Sequence, residues 1–170
     1  MTSTTHVAVS CLITASTIQS DIDNVQKAVI VAAGSLLAHL ILDIVPHGFI
    51  ATPFTIFKKV VPTITELLPG LLILTAAIGL FGNALLFLIA SFFGILPDMA
   101  SVMFYKRRGL ISRIPSILLI HKIHRKVHWF ETEHEDGTVS YIFPNTPLLV
   151  LEAIFTVFVV VMLVRSIPIF

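Results

Sequence analysis

The sequence predicts an all-α protein, a membrane helix bundle with four to five transmembrane helices. Of its 170 residues, 56% are hydrophobic and only 12% are charged, whereas soluble domains carry about 25% charged residues. Several apolar runs are long enough to cross a bilayer, and the basic residues are concentrated between those runs. These observations indicate one integral membrane domain, residues 1–170, with no separate soluble domain.

The two clearest spans are residues 25–45 and 147–164, since a helix needs about 20 residues to cross the hydrocarbon core. Between them, residues 67–96 form one apolar stretch that is too long for a single crossing. Gly82-Asn83 is a turn signal in its middle. We therefore predict a helical hairpin, made of residues 67–81 and 84–105.

A fifth and weaker candidate is residues 6–19, which are few and rich in serine and threonine. This segment either crosses the membrane, re-enters it or lies on its surface. The remaining long segment, residues 106–146, is polar and is predicted to be a histidine-rich loop or helix outside the bilayer.

The basic residues predict the orientation. Two loops, which follow the first strong span and the hairpin, hold nine of the eleven: Lys58, Lys59, Lys106, Arg107, Arg108, Arg113, Lys122, Arg125 and Lys126. Two crossings separate these loops, so they lie on the same side. Basic loops mark the cytoplasmic side. Since that asymmetry already explains the basic residues, they do not predict a nucleic-acid partner.

Ionisable residues within apolar runs are costly and usually line a polar cavity or bind a metal. His39 and Asp43 are four residues apart in a predicted helix, so both project from one face. His47 follows Pro46 and lies just past the expected helix end. Two imidazoles and a carboxylate in this pattern suit a divalent ion. The alternative is a hydrogen bond between His39 and Asp43 that joins two helices.

Further candidates lie at the same predicted membrane face. Asp98 follows Pro97, which removes a backbone donor, and it is either a site residue or a helix cap. His124 and His128 share one helical face with His121, in a segment that is otherwise basic and ends at Trp129. If only two of these three histidines bind metal, we expect His124 and His128; otherwise the segment is a cationic surface helix.

Two more residues complete the set. His6 joins the same face if residues 6–19 cross the membrane. Glu152 lies one turn into the last span, where it is either a ligand, a base or a carboxylate that reaches the interface. The predicted metal ligands are therefore His6, His39, Asp43, His47, Asp98, His124 and His128.

With these residues in view, the chain resembles the prokaryotic membrane-bound metal-dependent hydrolases. The resemblance rests on four short motifs spread over most of the chain: Thr5-His6, His39-Leu-Ile-Leu-Asp43 with Pro46-His47-Gly48, Leu96-Pro97-Asp98, and the segment that ends at His128. The resemblance implies a hydrolase of the prokaryotic cytoplasmic membrane that depends on a metal ion.

The predicted chemistry is hydrolysis by metal-activated water, with Zn²⁺ as the first expectation and Mn²⁺ or Fe as alternatives. Asp98 or Asp43 would orient the water or act as general base. The basic residues favour a phosphate-bearing lipid or another anionic amphiphile as substrate. The alternative is a non-enzymatic membrane protein that binds metal or haem, as a carrier or redox module. No Gly-x-Ser-x-Gly elbow or phosphate-binding glycine loop occurs in the sequence.

Overall fold

The computed structural model describes residues 3–46, 57–106, 114–129, 131–133, 139–141 and 145–167. These residues form six helices and one short hairpin, so the predicted helical class is confirmed. The helices are α1 (Ser3–Ile18), α2 (Asn24–Ile44), α3 (Phe57–Phe81), α4 (Ala84–Lys106), α5 (Pro115–Val127) and α6 (Asn145–Arg165). Strands β1 (Glu131–Glu133) and β2 (Val139–Tyr141) pair in antiparallel fashion, with Thr132 opposite Ser140.

Helix α1 is the centre of the bundle, since it packs against α2, α3, α4 and α6. Its buried side chains include the small residues Ala8, Ser10, Cys11 and Ala15, and small residues let neighbouring helices approach closely. Helix α1 comes close to Gly94 of α4, where a methyl group would collide with the hydroxyl of Ser10. The segment whose placement the sequence left open is therefore a helix surrounded by the others.

The α3–α4 hairpin turns at the predicted position. Gly82 has a φ of +78°, a left-handed conformation that favours glycine. Asn83 then accepts a hydrogen bond from the Leu86 amide at 3.4 Å, which helps to begin α4. Helix α3 starts at Phe57, earlier than the predicted residue 67, because hydropathy marks the apolar part of a helix and not its polar end.

Helix α2 has defined ends. Asp23 is its N-cap and accepts hydrogen bonds from the amides of Val25 and Gln26 at 2.8 and 2.9 Å. The helix ends at Ile44, just before Pro46, as the proline predicts. In α4, by contrast, Pro97 lies inside a helix that continues to Lys106. The carboxylates Asp43 and Asp98 are thus carried on two packed helices.

In the described part of the chain, two helices are long and apolar enough to span a membrane: Asn24–Ile44 and Thr146–Arg165. Of the most apolar stretch of 18 residues in each helix, only 22% and 17%, respectively, is buried inside the protein. The core helix of a soluble protein would be mostly buried, whereas these two helices leave most of their apolar surface exposed. Within the described residues, the apolar parts of α3 and α4, Leu68–Phe81 and Ala84–Ala100, are shorter.

Candidate metal centre

Four helices bring histidine and aspartate side chains to one point between them. Helix α1 contributes His6, α2 contributes His39 and Asp43, α4 contributes Asp98, and α5 contributes His124 with His128 at its C-cap. These six residues are called the donor cluster below. Six of the seven predicted ligands therefore meet, although 122 positions separate the first from the last (128 minus 6). The seventh, His47, lies outside the described residues.

Asp43 is at the middle of the donor cluster, and its side chain is fully buried. Its Oδ1 lies 3.2 Å from His6 Nε2. Its Oδ2 lies 2.8 Å from His39 Nε2, 3.0 Å from His124 Nε2 and 3.1 Å from His128 Nε2. A buried carboxylate is costly unless positive charge or hydrogen-bond donors compensate it. Here the compensating groups are four imidazole nitrogens.

Asp98 forms the open edge of the donor cluster. Its Oδ1 lies 3.2 Å from His124 Nε2 and 3.7 Å from His39 Nε2. The Asp98 side chain is 30% exposed, whereas that of Asp43 is not exposed at all. Asp98 is therefore the carboxylate that a water molecule or substrate can reach.

The backbone of α4 determines which ring nitrogen of His39 carries the proton. His39 Nδ1 lies 2.6 Å from the carbonyl oxygen of Gly94. Because a carbonyl oxygen only accepts hydrogen bonds, Nδ1 carries the proton and donates it. A neutral His39 then directs the lone pair of Nε2 towards the Asp43 carboxylate. Two lone pairs at 2.8 Å repel each other unless a cation lies between them or the ring gains a second proton. This orienting hydrogen bond is typical of metal-binding histidines.

His6 is buried beside His39, with ring centroids 3.9 Å apart and an interplanar angle of 27°. Its side chain is completely buried. Its Nε2 faces Asp43 Oδ1, whereas its Nδ1 has no hydrogen-bond partner among the described residues. An imidazole buried only for packing would leave its N–H unsatisfied, at a cost of about 1–3 kcal/mol. If His6 Nε2 binds a metal ion, part of this cost is offset.

The distances within the donor cluster match those of a coordination sphere. Metal–nitrogen and metal–oxygen bonds are about 2.0–2.2 Å long, so neighbouring ligand atoms around one ion lie about 2.8–3.6 Å apart. The ligand atoms of His39, Asp43, Asp98 and His124 all lie within 4.8 Å of one another. Imidazole and carboxylate donors suit Zn²⁺, Mn²⁺ and Fe. The residues present therefore fit a divalent ion.

Helix α5 closes the donor cluster from the side. His124 Nε2 and His128 Nε2 are 3.1 Å apart, and the indole N–H of Trp129 donates to the Ile44 carbonyl at 2.9 Å. That bond attaches the end of α5 to the end of α2. Burial opposes protonation of His124, but the carboxylates of Asp43 and Asp98 outweigh it and raise the pKa of His124. A bound cation would displace that proton.

Glu152, the third carboxylate within an apolar run, lies in a different environment. Its Oε1 accepts a hydrogen bond from Thr5 Oγ1 at 2.9 Å. Thr5 Oγ1 is also 2.7 Å from Thr156 Oγ1, which donates to the Glu152 carbonyl at 2.9 Å. These three residues, called the threonine–glutamate network below, join α1 to α6. A role for Glu152 as a ligand or base stays a prediction.

Sequence reasoning missed two groups that orient the donor cluster, the Gly94 carbonyl and the Trp129 indole. The sequence did contain a signal for the Gly94 carbonyl. Gly94 lies one turn before Pro97, and a glycine near a proline lets another side chain approach the helix backbone closely. No sequence signal pairs Trp129 with the end of α2.

The chain matches no protein-family model, no curated protein and no solved structure. The donor cluster itself is therefore the basis for the function proposed next.

Proposed function

We propose that this chain is a metal-dependent hydrolase of the membrane, which acts at the cytoplasmic face on a phosphate-bearing lipid or another anionic amphiphile. One observation carries the proposal. Four imidazole nitrogens and two carboxylates from four helices converge around the buried Asp43. A structural role would require one or two such groups, and it would leave the others buried at a cost in stability.

The residues divide by exposure into those that hold the ion and those that handle the water. His39, Asp43 and His124 are buried and would hold the ion rigidly. A bound ion of this kind lowers the pKa of a coordinated water towards neutrality and polarises the scissile group. Asp98 is partly exposed at the edge of the same cluster, so it would orient the attacking water and accept its proton.

The exposed apolar surface supports a location in the membrane. Leu37 and Ile41 on α2 are 59% and 54% exposed, and Ile154 and Val157 on α6 are 62% and 64% exposed. Large apolar side chains this exposed on two helices are rare on soluble monomers when they form a patch, and a bilayer would cover them. With α1 and the α3–α4 hairpin also embedded, the bundle would have the four to five spans expected from the sequence.

The basic residues next to the donor cluster support an anionic substrate. Lys122, Arg125 and Lys126 are exposed on α5, in the turns that carry His124. Cationic side chains beside a metal site attract phosphate groups. The same helix exposes Leu119 and Ile123, and such a mixture of apolar and basic side chains is typical of a helix at the bilayer interface.

The proposal is tested with purified protein in phosphatidylcholine nanodiscs that also contain phosphatidic acid or phosphatidylglycerol. We expect release of phosphate or headgroup that requires added Zn²⁺ or Mn²⁺. Asp98→Asn should reduce turnover at least about 100-fold and retain the ion, since Asp98 is the exposed member of the cluster. Asp21→Asn, which changes an exposed carboxylate before α2, is the control and should be fully active. A protein that binds metal but hydrolyses none of these lipids would favour the carrier alternative.

A further inference from the structure

The donor cluster holds more ligand atoms than one catalytic ion can use. Four imidazole nitrogens, both oxygens of Asp43 and one oxygen of Asp98 make seven (4 + 2 + 1). A catalytic Zn²⁺ takes three protein ligands and keeps one position for water, and an octahedral ion has six positions in total. One ion that bound all of these atoms would have no position left for water or substrate.

The two oxygens of Asp43 face different groups. Oδ2 lies within 3.1 Å of His39, His124 and His128. Oδ1 faces His6, at 3.2 Å. A carboxylate whose oxygens face separate sets of ligands is arranged to bridge two ions. The set of donors that lie within 4.8 Å of one another contains His39, Asp43, Asp98 and His124, and it does not contain His6.

His6 supplies an independent observation on the second side of the bridge. Its imidazole is completely buried, its Nε2 lies 3.2 Å from Asp43 Oδ1, and its Nδ1 has no hydrogen-bond partner in the described residues. It stacks on His39, yet its Nε2 faces the other oxygen of Asp43. A second cation beside Asp43 Oδ1 would bind both this nitrogen and that oxygen, which face each other at 3.2 Å.

We propose that the donor cluster is a two-ion centre in which Asp43 is the bridging ligand. The first ion is held by Asp43 Oδ2 with His39 and His124, and His128 lies close enough to join them. Asp98, at the exposed edge, keeps its role of orienting the attacking water. The second ion is held by Asp43 Oδ1 and His6, and its remaining positions are open to water and to substrate oxygens. This inference rests on the proposed function, because it assumes that the cluster binds metal.

The proposal sharpens the substrate class. Paired ions that share a carboxylate stabilise both the attacking and the leaving oxygen of an in-line displacement, as in many phosphoester hydrolases. An ion with only two protein ligands also binds more weakly than one with three or four. We therefore expect a first site that stays filled during dialysis and a second that fills only at higher metal concentration, and we expect a phosphoester as the substrate.

The test is titration of metal-free protein with Mn²⁺, followed by elemental analysis and electron paramagnetic resonance. The wild type should bind two Mn²⁺ per chain with affinities at least about 10-fold apart, and the six-line signal of the first ion should weaken as the second binds beside it. His6→Ala should bind one Mn²⁺ and keep the six-line signal. Thr14→Ala is a matched control, because Thr14 is buried on the same helix and its hydroxyl donates to the Ser10 carbonyl, outside the donor cluster; it should bind two.

The other outcomes are equally decisive. One Mn²⁺ in both wild type and His6→Ala would overturn the two-ion centre and leave the proposed function intact. Loss of all metal in a folded His6→Ala, or in His6→Gln as a second variant, would overturn the assignment of His6 to a separate ion. Two ions retained in His6→Ala would overturn it as well. No metal in the wild type would overturn both this inference and the proposed function.

Discussion

The two faces of α1 bury polar groups in different ways. On one face, His6 joins the donor cluster, where four imidazole nitrogens surround the carboxylate of Asp43. On the other, the preceding residue, Thr5, joins the threonine–glutamate network, where its hydroxyl donates to the Glu152 carboxylate. Both clusters contain a buried carboxylate within an apolar bundle, and they differ in what faces it.

That difference separates a structural cluster from a candidate metal centre. A hydroxyl group donates its own proton, so the hydrogen bond from Thr5 compensates part of the charge of the Glu152 carboxylate without a bound ion. His39 has its Nδ1 proton committed to the Gly94 carbonyl, so in the neutral ring only a lone pair faces Asp43. The first arrangement is compensated by hydroxyl donors, whereas an ion would stabilise the second. The following experiments test this contrast.

The largest expected effect is on metal binding. Asp43→Asn keeps the shape of the side chain but removes the central charge, so we expect metal affinity to fall at least about 100-fold. Glu152→Gln is the matched change in the threonine–glutamate network and should leave affinity unchanged. Isothermal titration with Zn²⁺ measures both. Equal losses in the two variants would show that buried charge in general, and not the donor cluster, governs metal binding.

Metal removal should destabilise the protein, because an ion that binds only the folded state stabilises it. At a free metal concentration about 1,000 times Kd, this contribution is about 4 kcal/mol. The midpoint of thermal unfolding in detergent should therefore fall when EDTA is added to the wild type and to Glu152→Gln. It should not respond to EDTA in Asp43→Asn. A wild type whose midpoint is insensitive to EDTA would contradict a metal held by four helices.

Thr5→Val should lower the stability of the protein and leave its metal binding unchanged. It leaves the Glu152 carboxylate without one buried donor, so we expect a loss of about 1–3 kcal/mol in the free energy of unfolding. Metal content should remain at the wild-type value because His6 keeps its position on the other face of α1. Denaturant unfolding and elemental analysis measure the two quantities on one sample. Loss of metal without loss of stability would reverse the roles given to the two faces.

Glycine variants test whether close packing of α1 on α4 supports the donor cluster. In Gly94→Ala the added methyl would meet the Ser10 hydroxyl, so we expect a destabilisation of about 1–3 kcal/mol together with weaker metal binding. Gly79→Ala, on α3, meets nothing within 4 Å and should be neutral or stabilising by up to about 1 kcal/mol. If both alanine variants bind metal like the wild type, the α1–α4 approach does not set the geometry.

The smallest expected effect is that of Trp129→Phe. It removes the hydrogen bond to the Ile44 carbonyl, which is worth about 0.5–1.5 kcal/mol. We expect metal affinity to fall about 2- to 10-fold, since His128 is then held less firmly. The titration used for Asp43→Asn measures this change. An unchanged affinity would mean that His128 is positioned by its contacts with Asp43 and His124 alone.

Much of the candidate site could be predicted from the sequence, because burying ionisable side chains in apolar helices costs free energy and therefore indicates a specific role. Asp43 and Asp98 lie in or beside apolar helices, and the i, i+4 spacing places His39 on the face of Asp43. The amphipathic pattern of the basic segment placed His124 and His128 on a helix. The position of α1 could not be predicted, because its serine-rich and threonine-rich composition fits a surface helix as well as a central one.

The sequence by itself determined the helical class, the turn at Gly82-Asn83 and the residues able to bind metal, because hydropathy, backbone preferences and ligand chemistry are local properties. Only the tertiary structure decided which residues meet. It placed His6 beside Asp43 and Glu152 beside Thr5, although His6 and Thr5 are adjacent in the chain. The physical reason is that a helix directs successive side chains about 100° apart, and only packing determines which neighbour each one faces.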